Sequence, residues 1–539
     1  MTRPDRQQPL GIAVTLAFAA ALVAVPLARA ADAPAKETLM QFTTRIEFGK
    51  DIGQNFGSLF EVPTTDGNFV IGAGFVGVYN THDRMDRYAV QLFVRPTDGQ
   101  RQFTSRRLPR IGDKTGTYMY DYDGKVYAYT YGERPLCCWD AATETWDTDP
   151  PRTDSRMHLG AGVLRFSGSN AYYNDQPLLT EPQQGSYYRF YYAHGLLGFY
   201  HTDWAGQSGS RPYEQDSAGF TKLYACAWTP ESQVPLDLTK AIVRTLKYVG
   251  ETPFAWGQFG GEVLTCSNQG GLYACDGKQW KMLVEPDNKT SYQIYSMLNF
   301  YDKLLMGQYP TGQLIEYDGE KVTVLEGWPP RLEGVSPSAR EAQTTTIYGG
   351  DVFVGVWPWA EVWRYNQDTG EWFFVQRMFT HPPITDATVH PYENECRALD
   401  LVLNWWGQRA TSLVPAGDSL YVSTSTKGPG DWKPEYEFVG DDKWKEYGAV
   451  HRLTTPGSLS APVQWRAEAT QLEFIISRDE LRIIQDGEQL ASAQLAAELA
   501  AGLAEAGGPA EVKWGSGVFG PFAGATLEGT VKASATAVP

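Results

Sequence analysis

One repeated motif limits what this chain can fold into. Four segments carry it: LCCWDAATETWDT (136–148), LYACDGKQWKML (272–283), LIEYDGEKVTVL (314–325) and VWRYNQDTGEWFFV (362–375). Each holds an aromatic residue or Cys, then Asp or Asn, a short polar turn, and a Trp or Val that opens the next strand. Asp-Gly and Asn-x-Asp-x-Gly are hairpin chemistry, because these residues tolerate the positive φ of a tight turn. Another pair of short strands lies upstream of each: KVYAYTYGE, EVLTCSNQ, KLLMGQYP and DVFVGVWPW. Four short antiparallel strands recurring in this way form a unit that stacks on its neighbours, the blade of a β-propeller.

Two of the upstream pairs follow or contain a Gly pair, Gly260-Gly261 and Gly349-Gly350. Gly-Gly followed by an aromatic-Asp-turn-Trp hairpin resembles kelch-type repeats, and the resemblance implies a propeller. Weaker units occupy 55–110, 158–230 and 409–467. The expectation is an all-β fold with about seven blades across residues 45–467, each of roughly sixty residues. Six or eight blades stay open, because 158–182 reads as half a blade or a whole one. Two sandwiches or a β-helix fit the uneven spacing less well. Residues 468–539 read as a small, mostly β C-terminal appendage, with an Ala/Leu-rich helical stretch inside it. Its ending, GPFAGATLEGTV, resembles the closing strand of lectin-like jelly rolls, but about eighty residues are too few for a whole one.

Residues 1–30 are laid out as a secretory signal. Arg3 and Arg6 precede the apolar run Leu10–Leu27, and Ala28-Arg29-Ala30 ends it as a cleavage site. The expectation is an exported protein, periplasmic or secreted, with 31–44 as a linker and no stable membrane insertion after cleavage. An uncleaved anchor is the competing reading, since the run is about long enough to span a bilayer. Lys and Arg number 46 against 63 Asp and Glu, a formal charge of -17. That balance argues against nucleic acid as a partner, which needs a basic footprint. Six cysteines in an exported chain permit disulfides. Cys266 and Cys275 flank a Gly-Gly turn and either face each other or serve as small core residues.

Chemistry-bearing residues cluster in three places. The segment SYYRFYYAHGLLGFYHTDW (186–204) places Tyr188, Arg189, His194 and His201 close in sequence, with His158 upstream. Strict alternation along its first strand puts Tyr188, Phe190 and Tyr192 on one face and Tyr187, Arg189 and Tyr191 on the other. A Tyr–Arg–His set suits β-elimination from a uronate polymer, which needs a base for the proton α to the carboxylate. It also needs cations for the enolate and an acid for the leaving oxygen. A Tyr beside Arg or His⁺ has a lowered pKa and can serve as base or acid. The combination is similar to that of propeller-fold polysaccharide lyases of the ulvan lyase type. The resemblance implies His158, Tyr188, Arg189, His194 and His201 as catalytic candidates. Aromatic core strands with solvated His are the competing reading.

The loop HPPITDATVHPYENEC (381–396) is rich in ligand types. His381, His390 and Cys396 are candidate ligands for a divalent ion, zinc or calcium. A plain surface loop is the alternative, and no other cofactor motif is read. Five Arg in RPTDGQRQFTSRRLPR (95–110), with His82, Arg84 and Arg87 just before, make a local basic stretch that can recruit an anionic polymer. A charged edge strand explains the Arg run equally well. Trp357 and Trp405, with neighbouring Trp359 and Trp406, are candidates for stacking on sugar rings.

The leading expectation is therefore an exported propeller acting on polysaccharide, as a lyase on a uronate-containing, anionic polymer. A non-catalytic carbohydrate- or protein-binding propeller is the first alternative. A glycoside hydrolase is the second, which requires two carboxylates about 5–9.5 Å apart.

Overall fold

Each of the four sequence motifs closes a hairpin through the same local device. The side chain of Asp140, Asp276, Asp318 or Asn366 accepts backbone N–H groups two and three residues on. For Asp276 both bonds are 2.9 Å, from Lys278 and Gln279. Gly277 between them has φ +81°, which only Gly adopts without strain. The short side-chain acceptor thus replaces backbone bonds that the turn cannot make itself. In this computed structural model the described residues are 37–48, 57–80, 88–131, 136–151, 153, 157–203, 218–287, 289, 293–524 and 526–533. The signal-like segment 1–30 and His82, Arg84 and Arg87 lie outside them.

The protein is all-β, and from residue 104 to 454 its strands group into antiparallel sheets of the propeller type. The first sheet holds Thr117–Tyr122, Lys125–Thr130, Cys137–Asp140 and Thr145–Asp147, and the second Met157–Leu159, Gly162–Ser167, Asn170–Tyr173 and Gln176–Pro177. The third comprises Ser186–Ala193, Leu196–Asp203, Phe220–Ala227 and Ile242–Thr245. Next come Pro253–Phe259, Glu262–Ser267, Leu272–Cys275 and Trp280–Val284. The fifth contains Gln293–Phe300, Lys303–Tyr309, Leu314–Tyr317 and Val322–Leu325, with Val78–Asn80 added beside Gln293–Phe300. The sixth is Glu341–Tyr348, Asp351–Trp357, Glu361–Asn366 and Glu371–Arg377. In the last, Arg409–Ala416, Ser419–Ser425 and Val450–Thr454 take their fourth strand, Thr104–Arg107, from ahead of the first sheet.

The first strands of successive sheets touch. Tyr191 donates to Gln258 Oε1 at 3.2 Å, Thr344 Oγ1 to the Ala410 carbonyl at 2.6 Å, and the Met119 N–H to Ser412 Oγ at 3.0 Å. The last of these joins the final sheet to the first. Thr104–Arg107 is exposed along its whole length, so the Arg-rich stretch does supply an outer edge strand.

The remaining strands form two five-stranded sheets, and here the expected boundaries change. One sheet runs Glu488–Gln494, Glu480–Gln485, Thr470–Ser477, Thr38–Glu47, Thr526–Ala533. The other runs Ser458–Pro462, Ala89–Pro96, Phe69–Phe75, Gly57–Pro63, Lys513–Trp514. The sheets pack face to face: the Phe42 and Phe60 rings stack at 4.4 Å, and Phe474 meets Phe60 edge-on at 5.5 Å. The helix Ala497–Glu505 adds Ala500 and Leu503 to the same core. Residues 38–44, expected as linker, are therefore strand, and Gly57–Pro63, Phe69–Phe75 and Ala89–Pro96, from the stretch expected as a first blade, belong to this body. Segment 468–539 is half of a two-sheet structure whose other half comes from the N-terminal region. Eighty residues were too few for the body because, apart from Ser458–Pro462, the remaining strands are more than 350 residues away in sequence, as in Phe42 opposite Phe474.

Buried ion pairs bind this body to the sixth sheet. Asp351 accepts from Arg364 at 2.7 Å and from Arg101 at 3.4 Å, and Arg101 also donates to the Gly349 carbonyl at 2.6 Å. Arg95, fully buried, pairs with Asp368. Cys266 and Cys275 do not face each other: Cys266 is opposite Leu272, and Cys275 opposite Val263. All six cysteines are free and buried, because alternation sends these two thiols into different cores.

Candidate functional site

The strand Glu341–Tyr348 reads EAQTTTIY, and all eight residues are buried. Burying so many polar side chains requires partners, and Glu341 at its start has two cations. Its carboxylate accepts from Lys427 Nζ at 2.9 Å and lies 3.7 Å from Arg409 Nη2. Glu341 opens the sixth sheet, Arg409 opens the seventh, and Lys427 follows Ser419–Ser425, so all three sit at the same end of the strands. The Lys427 ammonium also lies 4.3 Å from the centroid of the Trp357 ring and 5.8 Å from that of Tyr309. Lys427 keeps 29% of its side chain in solvent, against 1% for Glu341, so the cluster opens outward through the lysine.

On the same indole sits His390, with ring centroids 5.0 Å apart. Its Nδ1 is 3.3 Å from Glu393 Oε2, which makes Nδ1–H the donor and leaves Nε2 as the acceptor. Nε2 has no hydrogen-bond partner among the described residues. Burial pushes the His390 pKa down, outweighing the opposite pull of Glu393, so the ring is neutral at pH 7. Glu393 is held by the backbone N–H groups of Val389 and His390, at 3.1 and 3.2 Å, and by Arg397. Tyr295 and Tyr309 complete the cluster. Burial first, and then the Glu341 charge, push both phenols up, so they remain protonated donors. Chemically the arrangement offers an oriented neutral base, two cations and protonated phenols.

Two long connections carry this site, and His381 ties them together. Its Nε2 is 3.0 Å from the Lys443 carbonyl and 3.3 Å from Glu446, and its Nδ1 bonds the Tyr392 hydroxyl. Thr380 donates to Glu446 through its N–H at 2.7 Å and its hydroxyl at 2.6 Å. The structure does not bring the three candidate metal ligands of this loop together. His381 clamps two loops, His390 pairs with Glu393, and Cys396 is fully buried in an apolar core. Among the described residues no three His, Cys, Asp or Glu come together as a metal site. The donors lie close in sequence, but each turn of the loop aims them at different partners.

The segment 186–204 is arranged differently from the alternation expected. A bulge at Arg189, with φ +56°, shifts the register between Tyr188 and Tyr191. The extra residue inverts the phase. Tyr187, Phe190 and Tyr192 now share one core, while Tyr191 and Tyr200 share the next, with Tyr188 packed on it. His201 packs on Tyr187, at 4.7 Å, and its Nε2 meets the Gln184 carbonyl at 2.8 Å. His194 occupies the turn at the far end of the strand, six positions beyond Tyr188, or roughly 20 Å. His158 belongs to the previous sheet and stacks on Trp465 at 4.8 Å. Arg189 is exposed. The candidate set is thus distributed over two sheets and both strand ends. Among the described tyrosines with a resolved shift the pKa moves up, not down, because burial outweighs any neighbouring cation.

Trp357 is 1% exposed and cannot present its face to a polymer; it is the floor on which Lys427 and His390 rest. Trp405 is half-buried, and its carbonyl accepts from the N–H groups of Lys427 and Gly428, fixing the lysine-bearing loop. The Arg-rich stretch is occupied as well. Arg95 and Arg101 are buried in the ion pairs above, Arg106 pairs with Glu144 at 2.6 Å, and Arg110 bonds the Gly112 and Lys114 carbonyls. Sequence reasoning missed Glu341, Arg409, Lys427, Tyr295 and Tyr309. The available signal was the run of polar residues in EAQTTTIY, too polar for an ordinary core strand.

Among the described residues no helix is long and apolar enough to cross a membrane. No protein-family model matches the chain, and no curated protein matches it. Among solved structures the computationally designed Ika8 protein is similar at 11% identity with TM-score 0.31, covering 71% of this chain and 98% of that one. The GH74 xyloglucanase from Xanthomonas campestris is similar at 12% identity and TM-score 0.28, over 62% of this chain and 47% of its own. BamB from Moraxella catarrhalis is similar at 9% identity and TM-score 0.24, over 73% and 91%. Likenesses this slight carry no argument about activity.

Proposed function

We propose that this protein is an exported, seven-bladed propeller that acts on polysaccharide, with its reaction centre at His390, Lys427 and Arg409. The reading that these groups suit best is lyase chemistry on a uronate-containing polymer. Seven sheets of the repeat type support the blade number, the last completed by a strand from ahead of the first. The observation that carries the chemistry is the oriented, neutral His390 imidazole sharing the Trp357 ring with the Lys427 ammonium. In this reading His390 Nε2 removes the proton α to the uronate carboxylate, while Lys427 and Arg409 hold the carboxylate as it becomes an enolate. The Tyr309 hydroxyl, kept protonated, donates to the leaving oxygen. The electron pair of the C–H bond becomes the new C=C bond as the C–O bond breaks, so no cofactor is consumed. This reading puts the base at His390 rather than among His158, His194 and His201, where the sequence expectation had it.

Incubation with a panel of uronate polymers tests this. The expected result is an ultraviolet-absorbing unsaturated product that disappears in His390→Asn and in Lys427→Met. Saturated reducing ends would instead identify glycoside hydrolysis. Polymer binding without any product would identify a binding protein.

A further inference from the structure

One face of the first sheet is a ladder of tyrosines. Tyr118 on Thr117–Tyr122 stands opposite Tyr129 on Lys125–Thr130, and Tyr120 stands opposite Tyr127. Alternation turns all four rings to the same face, with Tyr122 beyond them. Each pair stacks: the Tyr118 and Tyr129 centroids are 5.1 Å apart at 23°, and those of Tyr120 and Tyr127 are 5.7 Å apart at 8°. Tyr131, just past the second strand, lies against Tyr118 at 6.1 Å. The ladder is unevenly covered. Tyr120, Tyr122 and Tyr127 are buried, whereas Tyr118, Tyr129 and Tyr131 are half-buried and keep part of their surface in solvent.

The open end of the ladder is the end that carries Lys427. Gly116 bridges to Ser425, two residues before the lysine. The Lys427 loop is fastened there: the Thr426 N–H donates to the Thr115 carbonyl at 2.9 Å, and the Thr115 N–H to the Gly430 carbonyl at 3.1 Å. Lys114 Nζ adds an ion pair to Asp431 at 2.7 Å. Tyr131 rests on the same segment, its N–H donating to the Gly116 carbonyl at 2.7 Å. A Cβ at Gly116 would lie 2.6 Å from the Tyr131 ring, and one at Gly430 3.4 Å from it, so the ring lies directly on the backbone of both segments. Lys427 and Gly430 are three residues apart, which allows no more than about 11 Å between their Cα atoms. The Tyr131 hydroxyl makes no hydrogen bond among the described residues.

A polymer whose reacting unit is held at Lys427 and Arg409 must continue past them in at least one direction. Pyranose rings carry C–H groups on their faces and hydroxyls at their edges, and an aromatic face with a phenol at its tip matches both. We propose that Tyr118, Tyr129 and Tyr131 form a stacking platform for the apolar ring faces of the sugar units that flank the reacting uronate. The platform rests on the reading of Lys427, Arg409 and His390 as the centre that engages polysaccharide. To that centre it adds a subsite that sets how the chain lies from the seventh sheet toward the first.

Titration of the His390→Asn chain, which leaves polymer uncut, with polygalacturonate, alginate and hyaluronate tests the inference. Affinity electrophoresis and intrinsic fluorescence report binding. The expected result is that at least one polymer binds, and that adding Tyr131→Ala weakens it about tenfold, as loss of one stacked ring implies. Tyr131→Leu, which fills the space without a flat face, should weaken it similarly, and Tyr131→Phe should keep most of the affinity. Melting curves that match the parent show that the fold is kept. In the chain that retains His390, Tyr131→Ala should raise KM on the polymer with little change in kcat, because stacking holds ground and transition states alike. Polymer binding that neither Tyr131→Ala nor Tyr131→Leu weakens, or that Tyr131→Phe weakens as much as both, overturns this inference alone. Binding that depends on the Tyr131 ring, with no product from the parent, refutes the reaction and keeps the platform. No binding of any polymer overturns both.

Discussion

Lys427 donates to Glu341 across 2.9 Å, joining a loop on the seventh sheet to the first residue of the sixth. The same carboxylate lies 3.7 Å from Arg409, so one buried anion holds two cations in place. Glu341→Ala therefore leaves Lys427 and Arg409 without their shared counter-charge. Breaking a buried pair in this way should cost about 3 kcal/mol, measurable as a lower denaturation midpoint. Glu341→Gln, which keeps one acceptor, should fall between the variant and the parent.

Stability should fall with acid in two stages of known sign. Burial, helped by Arg107, lowers the His451 pKa from 6.5 to about 4. The unfolded chain binds this proton first, so the His451 contribution is complete above pH 6.5 and is lost as pH falls toward about 4. Glu446 follows: burial pushes its carboxyl up, but hydrogen bonds from His381 and Thr380 prevail and bring it to about 2. Its contribution is complete above the unfolded value near 4.5 and is lost as pH falls through about 2. Urea titrations from pH 8 to 3 should show the first stage flatten in His451→Gln and the second in Glu446→Gln.

The two Gly pairs of the repeat should respond unequally to Ala. Gly261 has φ +84° with open space around it, so Gly261→Ala bears only backbone strain, about 1 kcal/mol. Gly350 has φ +81°, and a Cβ there would lie 2.6 Å from the Phe93 ring. Gly350→Ala adds overpacking against the two-sheet body and should cost about 3 kcal/mol in total. Paired melting curves check the difference.

Deleting 468–539 should not leave a folded propeller. The deletion removes Thr470–Ser477 from beside Thr38–Glu47 and exposes Phe42 and Phe60, which Phe474 covers. The expected outcome is aggregated protein with an uncovered apolar sheet. A soluble product with the parent's near-ultraviolet dichroism would show that the N-terminal strands fold without their partners.

Local chemistry was legible in the sequence wherever a few adjacent residues suffice. Asp140, Asp276, Asp318 and Asn366 each closes its hairpin with its own side chain, so the four sheets that these turns close were readable from the motif, whereas 158–230, read as one weaker unit, holds strands of two sheets. The bulge at Arg189 was not, because nothing in SYYRFYYA marks which residue leaves the ladder. The pairing of Phe42 with Phe474, and the convergence of Glu341, His390, Arg409 and Lys427, depend on contacts between segments far apart in the chain. A carboxylate becomes an anchor, and an imidazole a neutral base, only when packing removes water and sets a cation or an acceptor beside it. The sequence by itself determined the repeat and its turns, because those need only near neighbours. Tertiary structure alone decided where the body closes and which charges meet, because burial and long-range pairing set both.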